Sequence, residues 1–252
     1  MEFRSKELYA DFHQNAGKPL IVLIGGSLKG IAVVGPRLLD YLKEYYNVLV
    51  FAYFGVGDLP VYLEKIPLEY FINGINYVRT VYGLQDQDVS IIGNSKGGEA
   101  ALLLTKLIRP QVTIACVPSC YAWQGIPHSL LSVLFPRSSW TFNQKQVPFA
   151  RLKFDRQARR DIKNKIYCSS YKKAMARGVN REAKIDLSQY NGKLLLLSAE
   201  VDNYWPSKEM CNEIEREAKT GVTHRVLNLT DHHFLENDES IREIIRFLEA
   251  TR

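Results

Sequence analysis

The sequence predicts an α/β protein built on a mostly parallel, doubly wound sheet with helices on both faces. Three observations carry this reading. Continuous apolar runs of strand length recur at 20–24, 47–53, 112–117 and 193–199, the pattern of strands covered on both faces. Segments with helical periodicity alternate with these runs, and strand–helix alternation builds parallel sheets. Finally, Asp88–Leu104 (DVSIIGNSKGGEAALLL) passes from an apolar run through a glycine-bounded turn into residues of good helix propensity. At 252 residues and 46% hydrophobic content, the chain is expected to form a single domain, 1–252, with an ample core.

In order, Glu7 to Phe12 alternates weakly and reads as a first strand, and Asn15 to Pro19 is turn chemistry. Leu20 to Ile24 is a central strand that empties into the glycine-rich loop Gly25-Gly26-Ser27-Leu28-Lys29-Gly30. That loop lacks both the G-x-x-x-x-G-K-[ST] phosphate cradle and dinucleotide spacing. Pro36 to Tyr46 carries a Leu38–Leu39–Leu42 stripe and reads as helix; Asn47 to Tyr53 is the next strand, and Phe54 to Pro60 a loop. Leu68 to Val81 places Phe71, Ile72, Ile75 and Val78 at helical spacing, a core stripe. The 88–104 unit follows, then a strand at Val112 to Val117.

From 121 to 190 the alternation stops, and prolines punctuate an aromatic-rich segment with Trp123, Phe135, Trp140, Phe142, Phe149 and Phe154. An insertion between two sheet strands is expected to form a lid or substrate-pocket element; otherwise its aromatics form a satellite core. The sheet resumes at Lys193 to Ala199, followed by Glu200, Val201 and Asp202. A helix from Pro206 to Lys219, a strand from His224 to Leu229, the loop Thr230-Asp231-His232-His233-Phe234 and a helix from Ser240 to Leu248 close the chain.

The formal net charge of +6 is uneven, since 121–190 holds about 14 Lys and Arg against about 4 Asp and Glu. A polyanionic partner or a solvated basic surface both fit. No helix-turn-helix, zinc or RNP motif accompanies the charge, so no nucleic-acid partner is expected. Cys116, Cys120, Cys168 and Cys211 form no metal-type pairing, so reduced thiols, no metal and no cofactor are expected. The N-terminal residues are charged and lack an apolar signal segment, and no run approaches the ~20 residues of a membrane span. The expected location is cytoplasmic; oligomeric state is not legible.

Strand, G-x-S-x-G and helix at Gly93–Gly97 is the context of a nucleophile elbow, which predicts an α/β-hydrolase fold with Ser95 as nucleophile rather than as a helix cap. Small residues two before and two after the serine let strand and helix approach, and the next N–H, that of Lys96, faces a developing oxyanion. The loop after the early strand supplies the second donor in such folds, here Gly26 and Ser27. A serine needs a base, and the base an orienting acid. The order serine, acid, histidine is met by Ser95, Asp202 and the histidine pair, with His232 favoured over His233 and Glu200 the rival acid. His13, His128 and His224 have no matching position and read as surface or pocket-wall groups.

With these parts assembled, the chain resembles the acyl-CoA thioesterase and bile-acid-CoA:amino acid N-acyltransferase C-terminal domain family. GNSKGGEAAL at 93–102 matches the family's G-x-S-K-G-G-E, and Ala52-Tyr53, Asp58-Leu59-Pro60, Leu68-Glu69-Tyr70-Phe71 and Asp202 with Trp205 follow at family-like intervals. Val201 stands where the family often has a second acid, and 121–190 matches poorly. The family's animal members precede this domain with a β-sandwich, and none is expected within these 252 residues. The resemblance implies that serine at the nucleophile goes with hydrolysis and cysteine with transfer to an amine. It implies an acyl-CoA thioesterase acting on a small-molecule acyl ester or acyl-CoA through an acyl-enzyme; for a CoA thioester, the charge of the basic insertion is suited to the CoA phosphates. A carboxylesterase or peptidase of this fold, or a hydrolase-fold binding protein without activity, are the competing readings.

Overall fold

The structure is a computed structural model and describes residues 1–218, 221–230 and 232–252. Its elements are β1 (Glu2–Arg4), β2 (Tyr9–His13), β3 (Leu20–Ile24), α1 (Pro36–Tyr45), β4 (Asn47–Phe51), β5 (Ile66–Pro67), α2 (Leu68–Val81), β6 (Val89–Asn94), α3 (Lys96–Ile108), β7 (Val112–Cys116), α4 (Leu130–Leu134), β8 (Trp140–Phe142), β9 (Lys145–Gln146), α5 (Arg156–Lys163), α6 (Cys168–Ala176), β10 (Lys193–Ala199), α7 (Ser207–Glu217), β11 (Val222–Leu227) and α8 (Asp238–Thr251).

Eight strands form one sheet in the order β1-β2-β4-β3-β6-β7-β10-β11. β2 pairs antiparallel with β1 and β4, and every other pair is parallel. Strand β3 is entirely buried, and its residues divide by period two. Leu20, Val22 and Ile24 join the cluster under α2 and α3, while Ile21 and Leu23 join the one under α1 and α8. That two-sided burial is why the central strands read as unbroken apolar runs. Pro36 opens α1 at its first position, where the missing N–H costs nothing, after Gly35. Asn237 opens α8 by accepting from the N–H groups of Glu239 and Ser240.

The central elements lie where the sequence places them; the edges differ. The first long strand is Tyr9–His13, and the short strand Glu2–Arg4, too brief to carry a pattern, pairs with it at the sheet edge. The last strand begins at Val222, two residues before its predicted start. The predicted end of α7 at Lys219 lies outside the described residues, as does Asp231.

The 121–190 segment contains α4, α5, α6 and the strands β8 and β9, which with β5 make a second small sheet. Trp123 and Trp140 are fully buried in the main clusters, so the segment packs down onto α2 and α3 as core. Its outer tip is apolar and open to solvent: Leu130, Leu131, Leu134 and Phe135 are all exposed. Among the described residues no helix is long and apolar enough to cross a membrane.

Candidate active site

Strand order reverses beside β3, which pairs with β4 on one side and β6 on the other. Crevices outside the carboxyl ends of strands at such a switch point are where ligands bind in open α/β sheets. The loops after β3, β6, β10 and β11 all leave the sheet at that end.

Ser95 stands between β6 and α3 at φ 55°, ψ −117°, a conformation that L residues rarely adopt. Its N–H donates to Cys116 O at 2.8 Å, while its side chain makes no capping bond to the helix. The flanking glycines are sterically required. A Cβ at Gly93 would lie 2.1 Å from Gly97 O, and one at Gly97 would lie 2.1 Å from Ile24 O. Strand, turn and helix can close to this distance only without side chains at those two positions.

The Ser95 hydroxyl lies 2.7 Å from His232 Nε2, and His232 Nδ1 lies 3.0 Å from Asp202 Oδ2. Asp202 Oδ1 accepts from the N–H of Tyr204 at 2.9 Å and of Trp205 at 3.3 Å, so its loop fixes the carboxylate. With Nδ1–H donated to the carboxylate, Nε2 is left to accept the serine proton. Tyr204 stacks on the imidazole at 4.6 Å, and Trp205 meets its edge at 5.9 Å. Trp205 is anchored by its own indole N–H on Val117 O at 2.8 Å. Only 7% of the His232 side chain and 2% of that of Asp202 are exposed, which protects these hydrogen bonds from competing water. Asn94, one residue before the serine, carries information that the motif alone did not signal. Its amide donates to His232 O at 3.1 Å and accepts from Phe234 N–H at 3.2 Å, tying the histidine loop to the elbow.

Gly26 and Ser27 wall the cleft beside Ser95, and a Cβ at Gly26 would lie 3.2 Å from that of Ser95. Lys96 opens α3, so its N–H has no partner within the helix. The Lys96 side chain is neither on the surface nor at the cleft. It is buried, its ammonium donating to both oxygens of Glu99 at 3.1 and 2.9 Å and to Ser139 Oγ at 2.8 Å. Glu99 also accepts from Trp123 N–H at 3.0 Å and from the Trp140 indole at 2.7 Å. Burial pulls Lys96 down and Glu99 up from their ordinary pKa values, and their mutual attraction, with the Trp123 and Trp140 hydrogen bonds to Glu99, opposes those shifts. Glu200, the rival acid, is spent on Lys208 at 2.6 Å on the surface. His233 is exposed on the cleft wall.

His128 stacks on Tyr62 at the surface, whereas His224 is not a surface or pocket-wall group. Its buried ring joins Ser198 Oγ at 2.8 Å to Glu215 at 3.4 Å, a second serine–histidine–acid row whose serine is sealed inside β10. The four cysteines are free and buried. Among the described residues no cluster of three His, Cys, Asp or Glu could hold a metal ion.

The cleft holds about 110 Å³, with Leu28, Ala32, Val33 and Leu235 as its apolar walls. None of the described residues lining it comes from 121–190, so the lid expected there does not cover it. The segment supports the site from behind instead: the N–H groups of Tyr167 and Cys168 hold Asn203 O, beside Asp202, at 2.8 and 3.0 Å.

The sheet order and the elbow define an α/β-hydrolase fold. Solved structures that share it include an esterase of Pyrococcus furiosus (TM-score 0.62, 16% identity, covering 96% of this chain and 87% of that one). Another is the monoacylglycerol lipase of Paleococcus ferrophilus (TM-score 0.60, 18% identity, covering 97% and 99%). At these identities they establish the fold alone.

Residues 66–236 match the family described as BAAT / Acyl-CoA thioester hydrolase C terminal, and the chain belongs to that family. Its relatives include mouse acyl-coenzyme A thioesterase 1, 22% identical over 188 residues, 73% of this chain and 41% of that protein. Mouse acyl-coenzyme A amino acid N-acyltransferase 1 is 27% identical over 109 residues, 43% of this chain and 26% of that protein. The chain thus spans about two-fifths of the thioesterase's length.

Proposed function

We propose that the chain is a serine hydrolase of activated acyl groups, with an acyl-CoA thioester as its substrate class. The observation that carries the proposal is the continuous row from Ser95 Oγ through His232 to Asp202, with the serine held at positive φ beside a cleft. His232 Nε2 takes the hydroxyl proton as the serine oxygen attacks the acyl carbonyl. Lys96 N–H and the Gly26–Ser27 loop meet the negative oxygen of the tetrahedral intermediate. Collapse breaks the carbonyl–sulfur bond, and His232 returns its proton to the departing thiol. Water, deprotonated by the same imidazole, then adds to the acyl-serine and releases the acid. Asp202 holds the ring and balances its charge.

Serine rather than cysteine at position 95 supports water as the acceptor. The thioesterase names among the relatives and the basic 121–190 segment support a CoA leaving group. One observation favours a second reading, a carboxylesterase for uncharged esters: among the described residues, no lysine or arginine lines the cleft.

A fluorophosphonate is expected to label Ser95, and Ser95→Ala to abolish labelling and lower turnover by roughly 10⁴-fold or more while melting like the wild type. Folded protein that takes no label would leave a binding protein. Between substrates, acyl-CoA turnover should weaken with salt, since screening acts over ~8–10 Å at physiological strength. A salt-independent preference for p-nitrophenyl esters would select the carboxylesterase.

A further inference from the structure

Tyr53 belongs to the Ala52-Tyr53 pair of the family resemblance, and the proposed reaction gives it no part. It follows β4, is almost fully buried, and points its hydroxyl at the loop after β3. Its oxygen lies 2.5 Å from Gly26 O and 3.0 Å from Gly25 O. Carbonyl oxygens only accept, so the phenol is the donor, its single proton directed at Gly26 O with Gly25 O close enough to share it.

A trans peptide is planar, and its C=O and N–H point in opposite directions. The Gly25 carbonyl shares a peptide with the Gly26 N–H, and the Gly26 carbonyl with the Ser27 N–H. No peptide bond here is cis. Drawing both carbonyls to one phenol therefore turns both N–H groups away from it. Among the described residues, none accepts from either N–H. Both residues wall the cleft, and Gly26 lies against Ser95.

We infer that Tyr53 is the positioning residue of the oxyanion loop, its buried hydroxyl clamping two successive glycine carbonyls so that the Gly26 and Ser27 N–H groups face the carbonyl under attack at Ser95. The inference rests on the hydrolase reading and adds to it the reason why a Gly-Gly loop keeps its orientation. Glycine lets a peptide plane rotate at little steric cost. A rotation here would turn a carbonyl oxygen toward the developing oxyanion, and it is resisted because the buried phenol would lose its acceptors. The ring cannot follow the loop, since it packs on Phe54, Phe71 and Trp140 at 5.2, 5.5 and 5.8 Å. Trp140 in turn bonds Glu99, the partner of Lys96, so the Gly26–Ser27 loop and the Lys96 turn rest on one buried scaffold. Burial, aided by Glu99, raises the phenol well above its ordinary pKa, so it remains a donor at any working pH.

The test is Tyr53→Phe, which removes the donor and keeps the ring, compared with Tyr70→Phe. Tyr70 also buries a hydroxyl, donating to Ala52 O at 2.8 Å and accepting from Tyr9 N–H at 2.9 Å, but does not touch the loop. Deleting one oxyanion donor costs about 10²–10³ in kcat, so a donor pair left in place but unclamped should cost about 10- to 100-fold. Y53F is expected to lose that factor in kcat with KM within about threefold, and to bind a trifluoromethyl ketone transition-state analogue more weakly by the same factor. Y70F is expected to lower the melting temperature with kcat within twofold. If Y53F does not fold, 3-fluorotyrosine at position 53 should keep kcat and 4-fluorophenylalanine should lose it. Equal kcat in the two members of either pair overturns the inference. Wild-type protein inert to fluorophosphonate overturns the hydrolase reading instead.

Discussion

Ser95 holds a backbone conformation that costs a non-glycine residue about 1–3 kcal/mol, and its neighbours hold it there. Glycines 93 and 97 lack the Cβ atoms that would block the turn, and Cys116 O takes the serine N–H. The same economy applies to the adjacent histidines, whose side chains diverge. His232 turns inward to Ser95 and Asp202 under the face of Tyr204, while His233 faces the open side of the cleft. His232→Ala is accordingly expected to lower kcat/KM by roughly 10⁴-fold or more, comparable with Ser95→Ala, and His233→Ala by less than tenfold. Steady-state kinetics on whichever acyl substrate the wild type accepts would check this, and the reverse ranking would move the general base to position 233.

At the scale of elements, α3 does more than carry the chain away from the sheet after Ser95. Its first turn directs Lys96 and Glu99 into a buried space shared with β8 and the residues around Trp123. That ion pair is the joint between the elbow and the 121–190 segment. A buried pair adds little net stability when intact, yet removing one partner strands the other charge without water. Glu99→Ala should therefore cost about 3–5 kcal/mol, read as a lowered urea midpoint. Lys96→Met combined with Glu99→Leu should cost less than the sum of the single changes. Additive losses would mean that the two side chains do not interact.

For the whole molecule, parallel strands of different sequence position deliver their following loops to one end of the sheet, so residues 95, 202 and 232 meet although 107 and 30 positions separate them. The same close packing sets how stability responds to pH. Burial holds His224 below its ordinary value of 6.5, with Glu215 opposing the shift and Lys208 adding to it. Burial likewise lowers His13, helped by Lys43. A lowered native pKa means that the unfolded chain binds a proton the native state refuses. Stability is then full above pH 6.5 and is lost as pH falls through the window between 6.5 and the lower native values. Urea midpoints measured between pH 7.5 and about 5 should fall with acidification, and His224→Gln should flatten that slope. An unchanged slope in H224Q would assign the acid sensitivity to other groups.

The central strands, the principal helices and the chain order of serine, acid and histidine were legible from residue pattern alone. A strand covered on both faces must be apolar throughout, and a strained turn must be flanked by glycine, so these constraints leave marks on consecutive residues. Asn94, Tyr53, the burial of Lys96 and the inward place of His224 left no such mark. Each is defined by a partner that comes from a different strand or loop. The 121–190 segment shows the same limit: its tryptophans read equally as pocket lining or as core, and packing against α2 and α3 makes them core. Local sterics and burial are written along the chain, whereas which polar group faces which is decided by how the sheet brings distant loops together.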